Sequence, residues 1–192
     1  MEKKSYLVLE NGQVFEGKSF GAEGDVIGEI VFTTSMTGYV EALTDPSFFG
    51  QILVQTFPLI GNYGFNFDDF ESKAPHLKAY IVREWCQEPS NFRSEGNLDT
   101  FLKQEGIVGL YGIDTRQLTK IIREYGVMNA KIVSSRKNLA AILAELKNYS
   151  IQDAVKNTSS KEITSFNSEN GTKRVVLLDL GAKESIRKEL IK

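Results

Sequence analysis

A mixed α/β fold is what this sequence predicts, on three observations. Strand-length apolar runs such as GEIVF and QILVQTF recur between turn-forming residues. The segment GIDTRQLTKIIREYG carries apolar residues at helical spacing between a capping aspartate and a closing glycine. Late in the chain, RVVLLDLGAKESIRKEL reads as a continuous apolar strand that turns at Gly181 into a helix, the pattern of a strand covered on both faces.

The elements follow in order. SYLVLENGQVFEGKSF places Asn11-Gly12 between two apolar stretches, a strong hairpin signal because both residues tolerate the positive φ of a type I′ turn. GEIVFTT and QILVQTF are strands. Between them lies a longer, hydroxyl-rich stretch with Thr33, Thr34, Ser35, Thr37, Tyr39, Thr44 and Ser47. Loops that only connect strands are usually shorter, and hydroxyl-rich loops on a rigid scaffold are common places for ligand contacts. Within it GYVEALTD predicts one or two helical turns, with Tyr39, Val40 and Leu43 on one face. Pro46 ends that helix and biases Asp45 toward an extended backbone, so Ser47 projects from a stiffened turn.

LKAYIVREW predicts another strand, and NLDTFLKQEG a short helix ending at Gly106. In the clearest helix Asp114 is placed to cap, Leu118, Ile121, Ile122 and Tyr125 form the apolar stripe, and Gly126 closes it. Arg116, Lys120 and Arg123 lie off that stripe and read as a solvated face. VMNAKIVSS returns as a strand and NLAAILAELKNY as an amphipathic helix. These elements assemble a first domain over residues 1–154. Residues 155–173 are polar and Ser/Thr/Asn-rich, the composition of a linker. Residues 174–192, with a strand at Val175 to Asp179 and a helix from Ala182 onward, open a second α/β domain just inside which the chain is expected to stop.

Composition narrows the function classes. With 23 basic and 25 acidic residues the net charge is −2, too little field to recruit nucleic acid or an anionic membrane. No apolar run approaches the ~20 residues of a membrane span, and the N-terminus MEKKSYLVLE lacks a cleavage site. A single cysteine excludes an internal disulfide framework and points to a reducing, cytoplasmic home. On that basis the glycosylation-like triplets at Asn148, Asn157 and Asn170 are discounted.

A search for chemistry comes back nearly empty. Neither a phosphate-cradling G-x-x-x-x-G-K-S/T loop nor a G-x-G-x-x-G after a strand is present. His76 is the only histidine, so a zinc site lacks normal ligands and the residue reads as surface or structural. Cys86 in REWCQEPS has no activating base and no nucleophile elbow, and reads as a structural thiol at a strand end. Asp68, Asp69 and Glu71 could hold a cation, but a solvated acidic loop is the simpler reading.

Longer motifs carry a resemblance. VFTTSMTGYVEALTDPSFFGQILVQTFPLIGNYG and NFRSEGNLDTFLKQEGIVGLYGIDTRQLTKIIREYG resemble the signature segments of the small subunit of glutamine-dependent carbamoyl phosphate synthetase. RVVLLDLGAKESI is similar to the first strand and helix of that subunit's class I glutamine amidotransferase domain. The resemblance implies a layered β/β/α N-terminal domain followed by a truncated amidotransferase domain. It implies a chain that hydrolyses glutamine and sends ammonia to a large subunit, where ATP, Mg and bicarbonate yield carbamoyl phosphate for arginine and pyrimidine biosynthesis. The large subunit and L-glutamine are the implied partners, with no cofactor in this chain. Because the family's Cys-His-Glu set lies beyond Lys192, this chain alone is expected to be inactive. The family's LTDPS serine, which contributes to glutamine binding, maps onto Ser47; a turn hydroxyl is the plainer reading of the same residue. A free-standing binding or scaffold module is the alternative function, against which the α/β opening at Arg174 speaks.

Overall fold

The computed structural model describes residues 3–167 and 171–192. Strand β1 (Lys4–Leu9) pairs antiparallel with β2 (Val14–Gly21), with Leu7 opposite Phe15 and Val8 opposite Val14. The expected hairpin is present, but its turn differs. Only Gly12 has positive φ, at 88°. Its N–H bonds the Leu9 carbonyl at 2.9 Å, and the Leu9 N–H bonds the Gln13 carbonyl at 2.9 Å. That is a three-residue loop with glycine in the left-handed position, not a type I′ turn. Asn11 uses its side chain instead, accepting from the Gln13 N–H at 3.0 Å.

The remaining strands are β3 (Val26–Thr33), β4 (Gln51–Gln55), β5 (Leu59–Ile60), β6 (Ala79–Val82), β7 (Glu84–Trp85), β8 (Val108–Tyr111) and β9 (Asn129–Val133). Seven of the nine strands described close into a barrel in the order β1-β2-β8-β6-β4-β3-β9, while β5 and β7 form a small separate sheet. Within the barrel the run β3-β4-β6-β8 is parallel and the other pairings are antiparallel, and β5 pairs parallel with β7. The layers implied by the resemblance thus take the form of one closed sheet with helices outside it, and closure removes the exposed edges an open sheet would carry.

Side-chain alternation sorts three cores. Leu7, Leu9, Ile30, Ile52, Val54, Ala79, Ile81, Leu110, Ala130 and Ile132 fill the interior. Helix α1 (Tyr39–Thr44) and helix α2 (Leu98–Gln104) cover Leu53, Tyr80 and Val82 on the outside. Helix α3 (Thr115–Tyr125) adds Leu118 and Ile122 to the interior core, and α4 (Leu139–Asn148) packs Ile142 and Leu146 on Val8 and Val133. The predicted caps are in place: Asp114 accepts from the Gln117 N–H at 2.9 Å and Asn97 from the Thr100 N–H at 2.9 Å. Tyr125 departs from the expected stripe and is exposed, because it occupies the last turn, next to the closing Gly126. Arg116, Lys120 and Arg123 are exposed, as a solvated face requires.

A short helix, α5 (Ala154–Thr158), occupies the start of the stretch read as linker, of which residues 168–170, with Asn170, lie outside the described residues. The strand expected at Val175 to Asp179 does not form; Val176 is 87% exposed. A continuous apolar strand needs strands beside it and cover on both faces, and here every long strand is already committed to the barrel. Helix α6 (Glu184–Ile191) does form, two residues later than expected. Its first turn docks on Glu71, whose carbonyl accepts from the Glu184 N–H at 2.8 Å and whose carboxylate accepts from the Ser185 N–H at 2.9 Å.

Candidate functional site

The hydroxyl-rich stretch between β3 and β4 is built around Asp45. Its backbone is extended (φ −70°, ψ 119°), as the following proline demands. One carboxylate oxygen accepts the Ser47 N–H at 2.9 Å and so caps a single 3-10 turn over Pro46–Phe48. The other pairs with the Lys183 ammonium at 2.9 Å. Burial alone would raise the pKa of Asp45. Hydrogen bonds from Lys183 and from the amide and hydroxyl of Ser47 outweigh it, and the carboxyl titrates below its ordinary range. Lys183 is raised in turn, chiefly by its hydrogen bond to Asp45.

Thr44 ties down the other side of the turn. Its buried hydroxyl donates to the Val40 carbonyl at 2.9 Å and accepts from the Glu71 N–H at 2.9 Å. Held this way, Ser47 stands exposed at the tip of the turn. It lines an open recess of about 330 Å³ together with Pro46, Phe49, Ile151, Val155, Leu180 and Gly181. Gly181 has φ 107°, and a Cβ there would sit 2.8 Å from the Thr158 hydroxyl, so the approach of the two segments requires glycine. Asp179 fixes this second turn by accepting from the N–H groups of Gly181 and Ala182 at 2.9 and 2.7 Å. The LTDPS turn and the DLGAK turn therefore face one another.

A hydroxyl in this setting can donate or accept one hydrogen bond to a ligand; the carboxylate beside it is paired with Lys183 and titrates below its ordinary range, so it is too weak a base to make the hydroxyl a nucleophile. Sequence reasoning placed Ser47 on an exposed, stiffened turn but missed Asp45 as the anchor of that turn and Lys183 as its partner. The dipeptide Asp-Pro did signal a side-chain cap of the amide two residues on, whereas nothing in the sequence pairs positions so far apart. Other hydroxyls of the stretch serve the fold itself: Thr33 and Ser35 share a contact at 3.3 Å, and Tyr39 donates to the Gly64 carbonyl at 2.5 Å.

The remaining candidates fall in place as structure. Cys86 follows β7, and its thiol donates to the Glu88 carbonyl at 3.2 Å. His76 is half-buried beside Phe49, with ring centres 6.2 Å apart, and burial lowers its pKa. The acidic loop is more than solvated: Asp69 pairs with Arg93 at 2.8 Å, and Glu71 receives α6. Among the described residues no group of three His, Cys, Asp or Glu could hold a metal ion, and no helix is long and apolar enough to cross a membrane.

Comparison with known proteins agrees with the motifs. Residues 7–132 match the family described as carbamoyl-phosphate synthase small chain, CPSase domain. The chain is 49% identical over 189 residues to a carbamoyl phosphate synthase small chain of Clostridium perfringens, covering 98% of this chain and 54% of that one. It is 48% identical over 190 residues to the pyrimidine-specific small chain of Bacillus subtilis, with 98% and 52% covered. To the small chain of Archaeoglobus fulgidus it is 50% identical over 192 residues, with 98% and 53% covered. The chain thus spans about half the length of these curated relatives.

Proposed function

Because the chain belongs to the carbamoyl-phosphate synthase small-chain family, we propose that it is the N-terminal part of a small chain that hydrolyses glutamine and delivers ammonia to a large synthetase chain. The large chain then combines ammonia with bicarbonate in an ATP- and Mg-dependent synthesis of carbamoyl phosphate, in the cytoplasm. Residues 1–154 dock the large chain and complete the glutamine pocket from one side. Residues 155–173 link them to residues 174–192, the opening of the amidotransferase domain. The alignments to relatives about twice as long run through this last segment, which supports reading its exposed apolar residues as surface awaiting the rest of that domain.

One observation carries the proposal for the site. Ser47 stands at the exposed tip of a turn that Asp45 ties to Lys183, so this hydroxyl of the barrel is presented toward the segment that begins the second domain. Glutamine bound by that domain would meet Ser47 from the side. The hydroxyl would bond the amino-acid head group, at a net worth of about 1 kcal/mol, and take no part in proton transfer. Hydrolysis itself needs a nucleophile with a base, and Cys86, bonded to a backbone carbonyl, is not placed for that.

Reconstitution tests the reading. The large chain alone should make carbamoyl phosphate from ammonia and not from glutamine, and adding the full-length small chain should confer glutamine use. A full-length small chain that leaves glutamine untouched in the complex would overturn it.

A further inference from the structure

Helix α6 begins without a cap of its own. Its N-cap residue is Lys183, which makes no side-chain capping bond and whose ammonium can only donate. The first N–H groups of a helix need acceptors from outside it. Glu71, from a loop 114 positions before Ser185, supplies two. Its carbonyl accepts from the Glu184 N–H at 2.8 Å, and its carboxylate from the Ser185 N–H at 2.9 Å. A carboxylate at this end also suits the positive pole of the helix. One turn further on, Lys188 reaches back to the Asp68 carbonyl at 3.4 Å.

Glu71 is itself fixed to the turn that presents Ser47. Its N–H donates to the Thr44 hydroxyl at 2.9 Å, and the hydroxyl of the next residue, Ser72, donates to the Thr44 carbonyl at 2.6 Å. Thr44 has no exposure and directly precedes Asp45, whose carboxylate caps the Ser47 amide. A line of hydrogen bonds and peptide bonds thus runs from Ser47 through Thr44 and Glu71 to the first turn of α6. The Asp45–Lys183 pair runs beside it, but the two ties differ in kind. Lys183 holds on by a long, half-exposed side chain that can follow a shift of the helix. Glu71 grips main-chain N–H groups and so fixes the helix itself.

We propose that Glu71 is a positioning residue for glutamine binding: by capping α6 from the barrel, it sets the distance between the Ser47 hydroxyl and the domain that α6 opens. It touches no substrate. The proposal rests on the reading that Ser47 contacts glutamine held by that domain. A hydrogen bond weakens steeply as its geometry loosens, so losing the cap costs part of the Ser47 contact and nothing else in the pocket.

Glutamine kinetics of the full-length small chain bound to the large chain test this, in the wild-type and Ser47→Ala backgrounds. Glu71→Ala should raise the glutamine KM about threefold, with kcat and ammonia-dependent synthesis unchanged. Glu71→Gln, whose amide oxygen still accepts the Ser185 N–H, should stay close to wild type. In the Ser47→Ala background Glu71→Ala should add nothing, because both changes remove one and the same contact. If Glu71→Ala does not fold, Glu184→Pro compared with Glu184→Ala decides. Both lose the side chain that pairs with Arg187, and only proline loses the N–H that Glu71 accepts. Lys183 already has the extended backbone that precedes a proline (φ −68°, ψ 146°), and the first helical position tolerates one. The proline variant should then show the threefold rise over the alanine variant. An unchanged KM in Glu71→Ala, or the same rise in both backgrounds, would overturn the positioning role and leave the Ser47 contact standing. An unchanged KM in Ser47→Ala itself would overturn the contact and the positioning role together.

Discussion

Asp45 and Lys183, 138 positions apart, form an ion pair of 2.9 Å between the turn that presents Ser47 and the residue that precedes α6. The same carboxylate caps the Ser47 amide, so one side chain both shapes the turn and attaches it to the C-terminal segment.

Two substitutions separate these duties. Asp45→Asn keeps a good capping side chain and loses the charge; Asp45→Ala loses both. We expect Asp45→Ala to cost about 1–2 kcal/mol, of which the cap accounts for about 1 kcal/mol. Asp45→Asn should cost less, since Lys183 is half-exposed and water screens the pair. Urea midpoints of the three proteins measure the difference, and equal midpoints would show that the pair is idle.

The pair also sets a pH window. Asp45 is lowered in the folded state, so its contribution is present above the unfolded carboxyl pKa of about 3.9 and is lost as pH falls through the folded value. Lys183 is raised, so its contribution is present below about 10.4 and is lost as pH climbs through its folded value. The stability gap between wild type and Asp45→Asn should therefore be flat near neutrality and shrink at both extremes. A gap that instead grows in acid would contradict the assignment.

Leu118 closes the interior core from α3 and has no exposure. Its replacement by Ala should cost about 2–5 kcal/mol, as cavity-forming core substitutions do. Tyr125→Ser on the same helix, at an exposed position, should change the urea midpoint little.

Much of this was legible in the sequence, and the failures are instructive. Asp114, Asn97 and Gly126 act over three or four residues, and local capping chemistry could be read directly. Closure of the barrel could not, because it depends on β9 reaching back to β1, for instance Ile132 to Leu7. The strand expected at Val175 to Asp179 failed for a related reason: its apolar run is real, but a strand is stable only beside another. The stiffened turn at Ser47 was legible through Pro46, whereas the pairing of its anchor Asp45 with Lys183 depends on a tertiary contact that no spacing rule anticipates.

The isolated chain should release no ammonia from glutamine, and Cys86→Ser should change nothing beyond local packing. Steady ammonia release by the purified chain, abolished by Cys86→Ser, would show that the thiol has been misassigned.

The Ser47 contact with glutamine is tested most directly by Ser47→Ala in the full-length small chain bound to the large chain. The glutamine KM should rise roughly five- to tenfold, the loss of about 1 kcal/mol of binding. Ammonia-dependent synthesis should be unchanged, because ammonia bypasses the pocket. An unchanged glutamine KM, with a lowered melting temperature, would mean that Ser47 serves only its own turn.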